Sequence, residues 1–367
     1  MFLQELKLFN FKNYAEASLR FEGSVNCFLG KNGSGKTNLL DAMHYLSFTK
    51  SAINPSDAQN IKLGENQFII KGTFQIQDKT KEVVCSYQQN QKKIVREDGQ
   101  DYLKFSDHVG KYPLVLIAPQ DIELIWDGNE IRRKFFDSLL SQIDQGYLED
   151  LIIYTTYLKQ RNSALKLFAE RGNIDHDLLA SYNQKIIPSA KRIFSKRHEF
   201  LKEFQPAFQR HYKNLAELRE EGMSIQYRSD LEGNDFEELL QKNLSRDVVL
   251  QRTTTGIHRD DFLFLLNNNE VKRYGSQGQQ KSFLIALKLA EFQCIAEKKT
   301  IKPLLLLDDI FDKLDDHRVR KIMQFVADGM FGQLFITDAR PANCKGILKE
   351  MSLAAEIVNL ENGNFIR

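Results

Sequence analysis

Residues Gly30 to Thr37 read G-K-N-G-S-G-K-T and fit the spacing G-x-x-x-x-G-K-[ST]. The apolar run Val25–Leu29 stands directly before them, and Asn38–Leu46 follows at helical spacing. This order predicts a buried strand, a glycine loop and a helix. The loop N–H groups and the helix N-terminus then face one anion. The segment implies a bound nucleoside triphosphate. Gly30, Lys31, Asn32, Gly33, Ser34 and Gly35 form the cradle, Lys36 is placed to reach the β- and γ-phosphates, and the Thr37 hydroxyl is placed to ligate Mg²⁺.

Composition narrows the setting. The chain has 367 residues, 42% hydrophobic and 27% charged, as in a globular protein with two or three domains. No apolar run approaches the roughly 20 residues of a membrane span. The start, MFLQELKLFNFKNY, reads as a first strand rather than a signal peptide. Cys27, Cys85, Cys294 and Cys344 are scattered without a CxxC pair, which argues against zinc and a disulfide framework. A cytoplasmic setting without membrane contact is expected. The net charge of +2 does not announce a nucleic-acid binder, so any basic surface must be local.

The first 120 or so residues read as strands: Leu3–Phe11, Ser18–Phe21, Gln67–Gln77, Val83–Gln88, Lys92–Arg96 and Leu114–Ala118. From about Glu130 to Leu244 the apolar spacing becomes helical, over Ile131–Leu140, Leu148–Ala169, Leu178–Leu201 and Phe236–Leu244. Strands are expected again at Phe262–Leu266 and Val271–Tyr274, then a long helix Gln279–Lys298, then short buried strands Pro303–Leu307 and Leu334–Thr337. The pattern is α/β, helical insert, α/β.

The apolar Leu304–Leu307 ends in Asp308–Asp309, a Walker B pattern. A buried strand there delivers a carboxylate beside the phosphate loop. Asp308 would hold Mg²⁺ and Asp309 would act as the general base that orients the attacking water. Gly275–Ser276–Gln277–Gly278–Gln279–Gln280 opens the long helix and is expected to leave N–H groups free for a second anion. One solution is a head-to-tail dimer, in which Ser276 and Gly278 of each copy cap the γ-phosphate held by the other.

The order of these motifs, with Phe311–Asp312–Lys313–Leu314–Asp315 after the carboxylates, resembles the ABC-type ATPases, and in particular the RecF DNA-repair family. The start Phe11–Lys12–Asn13–Tyr14, the stretch Gly128–Asp137 (GNEIRRKFFD), Gly256–Asp261 (GIHRDD, with Ile257 in place of Pro) and Ser276–Lys281 (SQGQQK) carry that resemblance, which runs from residue 1 to about 340. It implies an ABC-type ATPase head, residues 1–124 and 247–367, with an inserted helical arm, residues 125–246. It also implies that Gln120 senses Mg²⁺ and the γ-phosphate, and that Asp315 lies in a loop signalling between two sites. ATP and Mg²⁺ are the implied cofactors. DNA (single-stranded, gapped or junction), an ATP-dependent homodimer, RecR, RecO and RecA are the implied partners, in repair, replication restart and SOS induction.

Two departures from the ABC pattern bear on catalysis. Asp309 stands where many members have Glu, and Thr337–Asp338 stand where many have a His after the next strand. Both predict a poorly oriented water and slow hydrolysis, and the resemblance implies that DNA stimulates it. A transporter ATPase subunit is the first alternative, but it would carry LSGGQ and the switch His. An SMC-type chromosome organiser is the second, but the insert is short, contains Pro188, Pro206 and Gly172, and lacks a sustained heptad seam. A nucleotide-sensing switch without meaningful catalysis is the third.

For DNA, Lys185 to Lys213 carries eight basic residues against Glu199 and Glu203, with Phe194, Phe200, Phe204 and Phe208 interleaved. Lys191, Arg192, Lys196 and Arg197 are the candidate phosphate contacts on this helix. The competing reading is a solvated face whose phenylalanines pack a core. His258–Arg259 is a further candidate for γ-phosphate sensing or an interface contact.

Overall fold

The structure is a computed structural model of the whole chain, and it describes every residue except 217–221, 310–314, 362–363 and 367. In chain order the elements are β1 (Phe2–Phe11), β2 (Tyr14–Arg20), β3 (Val25–Leu29), α1 (Lys36–Phe48), β4 (Gln67–Ile76), β5 (Lys79–Gln88), β6 (Ile94–Glu97), β7 (Gln100–Asp101) and β8 (Leu114–Ile117). Next come α2 (Glu123–Trp126), α3 (Asn129–Ile143), α4 (Gln145–Arg171), α5 (His176–Leu215), β9 (Met223–Arg228), α6 (Phe236–Lys242), α7 (Leu244–Val249), β10 (Asp261–Leu266), β11 (Asn269–Glu270) and α8 (Val271–Tyr274). The chain closes with α9 (Gln277–Lys299), β12 (Leu304–Leu307), α10 (Asp316–Ala327), β13 (Gln333–Asp338), α11 (Pro341–Glu350), β14 (Glu356–Glu361) and β15 (Asn364–Ile366). These elements fall into two units, Met1–Asp121 with Leu284–Arg367, and Ile122–Phe283.

The first unit holds two sheets. One is antiparallel, in the order β2-β1-β4-β5-β6-β7; the other is β15-β14-β3-β13-β12-β8, parallel except for the edge strand β15. Every residue of β3 and β12 is buried, as expected of parallel strands covered on both faces. Helix α1 packs against strands of both sheets. It buries Leu39, Leu40, Ala42, Met43, Tyr45 and Leu46 around most of its circumference, so it sits inside the core rather than on it.

The second unit packs α3 to α7 with the three-stranded sheet β11-β10-β9. Its α5 is one 40-residue helix with Pro188 and Pro206 inside it. Two sequence expectations are corrected here. Met223–Arg228, unassigned in the sequence, is a strand pairing with β10. Val271–Tyr274, expected as a strand, is a helical turn: Gly275 N donates to Val271 O at 2.9 Å, and Gln280 Nε2 reaches the same carbonyl at 3.4 Å, so the hairpin keeps only Asn269–Glu270. Among the described residues no helix is long and apolar enough to cross a membrane.

Candidate nucleotide site and the motifs around it

The parallel register brings four loops of the first unit to one sheet edge. Leu29 pairs with Asp338, Ile336 with Leu307, and Leu307 with Ile117, so the residues after β3, β12 and β8 emerge together with the end of β13. Ligands of open α/β sheets collect at such carboxyl ends. The phosphate loop leaves β3 under tight constraint. A Cβ at Gly30 would lie 2.3 Å from Leu360 O. Gly35 has φ +104°, and a Cβ there would lie 2.5 Å from Asn13 Nδ2 and 2.6 Å from Tyr14 Oη. The Tyr14 hydroxyl donates to Gly35 O at 3.0 Å, and Asn38 Nδ2 donates to Asn13 Oδ1 at 2.7 Å. The Asn13–Tyr14 turn thus clamps the start of α1, a role visible in the sequence only through resemblance.

Lys36 is buried inside its own loop and donates to Gly30 O at 2.9 Å and Lys31 O at 3.2 Å. The Thr37 hydroxyl donates to Asp308 Oδ1 at 3.0 Å, and Thr337 donates to the same oxygen at 2.7 Å. Burial raises the Asp308 carboxyl above the usual carboxylate range, against these two donors. Asp309 sits at φ +44°, a costly conformation for a non-glycine residue. Its N–H is tied to Thr337 Oγ1 at 2.9 Å and its Oδ1 lies 4.0 Å from Lys36 Nζ. Thr337 therefore holds the Asp308 carboxylate and the Asp309 backbone together, a job its sequence position did not reveal.

These residues suit a magnesium triphosphate. Ser34 Oγ and Asp309 Oδ1 are buried without a hydrogen-bond partner among the described residues. Thr37 and Asp308 offer the hard oxygen donors Mg²⁺ prefers. A cleft of about 720 Å³ opens beside the loop, lined by Gly30, Lys31, Asn32, Gly33, Ala339 and Leu360 among others.

Gln120 stands exposed in the short turn Pro119–Ile122, directly after β8 on this edge. The turn is fixed from below. Asp121 Oδ2 accepts from Ala118 N at 2.7 Å, and Asp121 Oδ1 pairs with buried Lys288 at 3.2 Å. Glu291 lies 3.5 Å from the same lysine, and burial pushes its carboxyl up to about 7.

Ser276 and Gly278 lie in the second unit. The expectation of free N–H groups is corrected by a reciprocal capping box: Gln279 N donates to Ser276 Oγ at 3.2 Å, and Ser276 N donates to Gln279 Oε1 at 2.7 Å. Gln280 is buried and holds Gly275 O at 3.0 Å. The serine itself is exposed. Phe311–Leu314 lie outside the described residues; Asp315 caps α10, accepting from Arg318 N at 3.1 Å.

The basic helix does not present a free cationic face at its candidate residues. Lys191 pairs with Asp235 at 2.8 Å, Arg192 grips Asp150 through Nε and Nη2, and Lys196 pairs with Asp144. Arg197 is only 1% exposed. Its guanidinium donates to Asp137, to Asp260 Oδ2 at 2.8 Å, to Ile257 O at 2.9 Å and to the Tyr147 hydroxyl at 3.0 Å. Arg197 cannot meet a DNA phosphate from there, and that expectation is withdrawn. The resembling motifs explain the burial. Arg132 is bidentate on Asp261 at 2.8 and 3.0 Å, Arg133 donates to Asp260 O at 2.5 Å, and Asn129 to Arg259 O at 3.0 Å. Tyr227 bonds Asp260 and Tyr147 bonds Asp137. GNEIRRKFFD and GIHRDD are thus two sides of one polar core centred on Arg197. His258 belongs to the same unit's interior, between the Tyr154 hydroxyl at 2.6 Å and Thr253 O at 3.0 Å.

A phosphate loop and a Walker B strand separated by one parallel strand, beside an antiparallel sheet, define an ABC-type ATPase head. Comparison with known proteins agrees: the family described as RecF/RecN/SMC N terminal domain matches residues 2–355. The chain is 47% identical over 360 residues to the DNA replication and repair protein RecF of Flavobacterium johnsoniae, covering 98% of this chain and 100% of that one. It is 44% identical to the protein of the same name from Cytophaga hutchinsonii, covering 93% of this chain and 90% of that one. The solved structure of the recombination mediator protein RecF-ATPrS in the RecFOR pathway superimposes with a TM-score of 0.88 at 30% identity, covering 99% of this chain and 97% of that one. The chain belongs to the RecF family.

Proposed function

We propose that this chain is an ATP-dependent DNA-binding protein of recombinational repair and replication restart. The observation that carries the reading is the meeting of Thr37 and Asp308 at one sheet edge, in a chain that matches DNA replication and repair proteins along its length. Lys36 holds the β- and γ-phosphates, Thr37 and Asp308 hold Mg²⁺, Gln120 reports its presence, and Asp309 orients the attacking water. Held there by Thr37 and Asp308, Mg²⁺ would supply electrostatic stabilisation of the charge that develops on the phosphates. Ser276 and Gly278 of a second copy close over the γ-phosphate, releasing their capping box to do so. ATP then assembles a clamp on single-stranded or gapped DNA, works with RecR and RecO in loading RecA and in SOS induction, and hydrolyses slowly. Because Lys191, Arg192 and Lys196 are carboxylate-paired, the DNA lies against the groove formed on dimerisation. The chain acts in the cytoplasm.

Sedimentation with ATP, ADP and no nucleotide, repeated with Ser276→Arg, tests this reading. A dimer with ATP alone, lost in Ser276→Arg, is expected. A dimer indifferent to nucleotide and to Ser276 refutes the trans-acting site.

A further inference from the structure

Two large aromatic side chains of the second unit are about half or more exposed to solvent. Trp126, the one tryptophan of the chain, ends α2 and is 49% exposed, and Tyr274 ends α8 and is 65% exposed. The two short helices pack against each other, anchored by buried Leu124, Ile125 and Val271. Gly275 and Ser276 follow Tyr274 directly, so this surface runs up to the start of α9.

A cleft of about 210 Å³ opens in the same surface. Its lining is balanced in charge, with Arg228 and Lys272 against Asp127 and Glu270 beside the internal Arg132–Asp261 pair. A nucleic-acid face would carry one sign. A tryptophan and a tyrosine beside mixed charges match the centre of a protein–protein contact instead. Mixed charge also suits a two-fold contact, in which one patch must complement itself or its equivalent.

We propose that Trp126 and Tyr274 are the aromatic anchor by which a second copy of this chain docks beside Ser276, completing the nucleotide site in trans. The inference rests on the trans-acting reading above and deepens it. The anchor fixes where the partner sits, and Ser276 and Gly278 then reach the partner's phosphate loop.

The test uses the full chain and its single tryptophan. Acrylamide quenching of Trp126 fluorescence is measured with Mg²⁺-ATPγS and with Mg²⁺-ADP, alongside sedimentation of the same samples. Quenching falls and emission shifts to the blue with ATPγS alone. Trp126→Ala and Tyr274→Ala each weaken the dimer by about tenfold or more, the loss expected of a central aromatic, while nucleotide affinity of the monomer is unchanged. If a Ser276-dependent dimer forms while Trp126 stays accessible and both variants dimerise normally, the anchor is wrong and the trans reading stands. If both variants lose the dimer and Ser276→Arg keeps it, the anchor stands and the trans reading falls. If no dimer forms with ATPγS, both fall.

Discussion

Thr37 donates its hydroxyl to Asp308 Oδ1 across 3.0 Å, although 271 residues separate them in the chain. With Thr337 on the same oxygen, the carboxylate is aimed at the mouth of the phosphate loop by two hydroxyls. Thr37→Val should therefore lower ATP affinity about tenfold to a hundredfold in Mg²⁺, the scale of lost metal-ligand support. In EDTA the variant and the wild type should bind alike. Titration with a fluorescent ATP analogue in both conditions checks this; equal losses with and without Mg²⁺ would show that Thr37 serves the loop and not the cation.

Asp309 combines a left-handed backbone, a buried oxygen without a hydrogen-bond partner among the described residues, and proximity to Lys36. Asp309→Asn should keep ATP affinity and reduce single-turnover hydrolysis by about 10²-fold or more, as for loss of a positioned general base. The ATP-bound dimer should live correspondingly longer. Wild-type turnover should itself be slow, and a rate of tens per second would overturn the reading of Asp309 and Thr337.

Arg197 and its neighbours on α5 should respond differently to charge removal. Arg197→Met leaves Asp137 and Asp260 without their buried partner, and such breaks cost about 3–5 kcal/mol. Lys191→Glu breaks a solvent-exposed pair and should leave stability nearly unchanged. Urea unfolding compared with DNA affinity separates the two effects. DNA binding lost in Arg197→Met should be lost together with stability, and a stable Arg197→Met protein with weakened DNA binding would restore Arg197 as a contact.

His258 supplies a pH dependence. Its Nε2 faces Thr253 O and must donate, so Nδ1 accepts from Tyr154 and the ring is held neutral. Burial pushes the imidazole down to about 4, against about 6.5 in an unfolded chain. The unfolded chain thus takes the proton first. The stability from this site is present above pH ~6.5 and is lost as pH falls from there toward ~4. His258→Gln should be less stable than wild type at neutral pH and lose less stability on acidification. Urea midpoints of both proteins from neutral to mildly acidic pH check this; parallel curves would exclude a role for His258. Asp260, raised to about 6 chiefly by burial, acts with the opposite sign in both proteins.

Legibility in the sequence followed locality. The phosphate loop was readable because strand, loop and helix are contiguous, and the long helices because apolar spacing repeats. The mispairing of expectations on α5 had a readable remedy. Ile193, Arg197, Phe200 and Phe204 share the buried stripe, so helical spacing alone puts Arg197 inside. The acids that neutralise Lys191, Arg192 and Lys196 could not be found that way, since Asp235, Asp150 and Asp144 lie 42 to 52 residues off along the chain. The Val271–Tyr274 turn was misread because its β-branched start looks like a strand, and Gln280, nine residues on, closes it instead.

By itself the sequence determined that a triphosphate loop, a Walker B strand and a helix opening after Gly275 exist, since each is set by neighbours within a few residues. The tertiary structure alone decided that β13 stands between β3 and β12, so that Thr337 ties Asp308 to Asp309, and that Asp137 and Asp260 are the partners of buried Arg197. The reason is physical. A helix or tight loop closes its hydrogen bonds within its own segment, whereas strand order and the partner of a buried charge depend on which distant segments share one core.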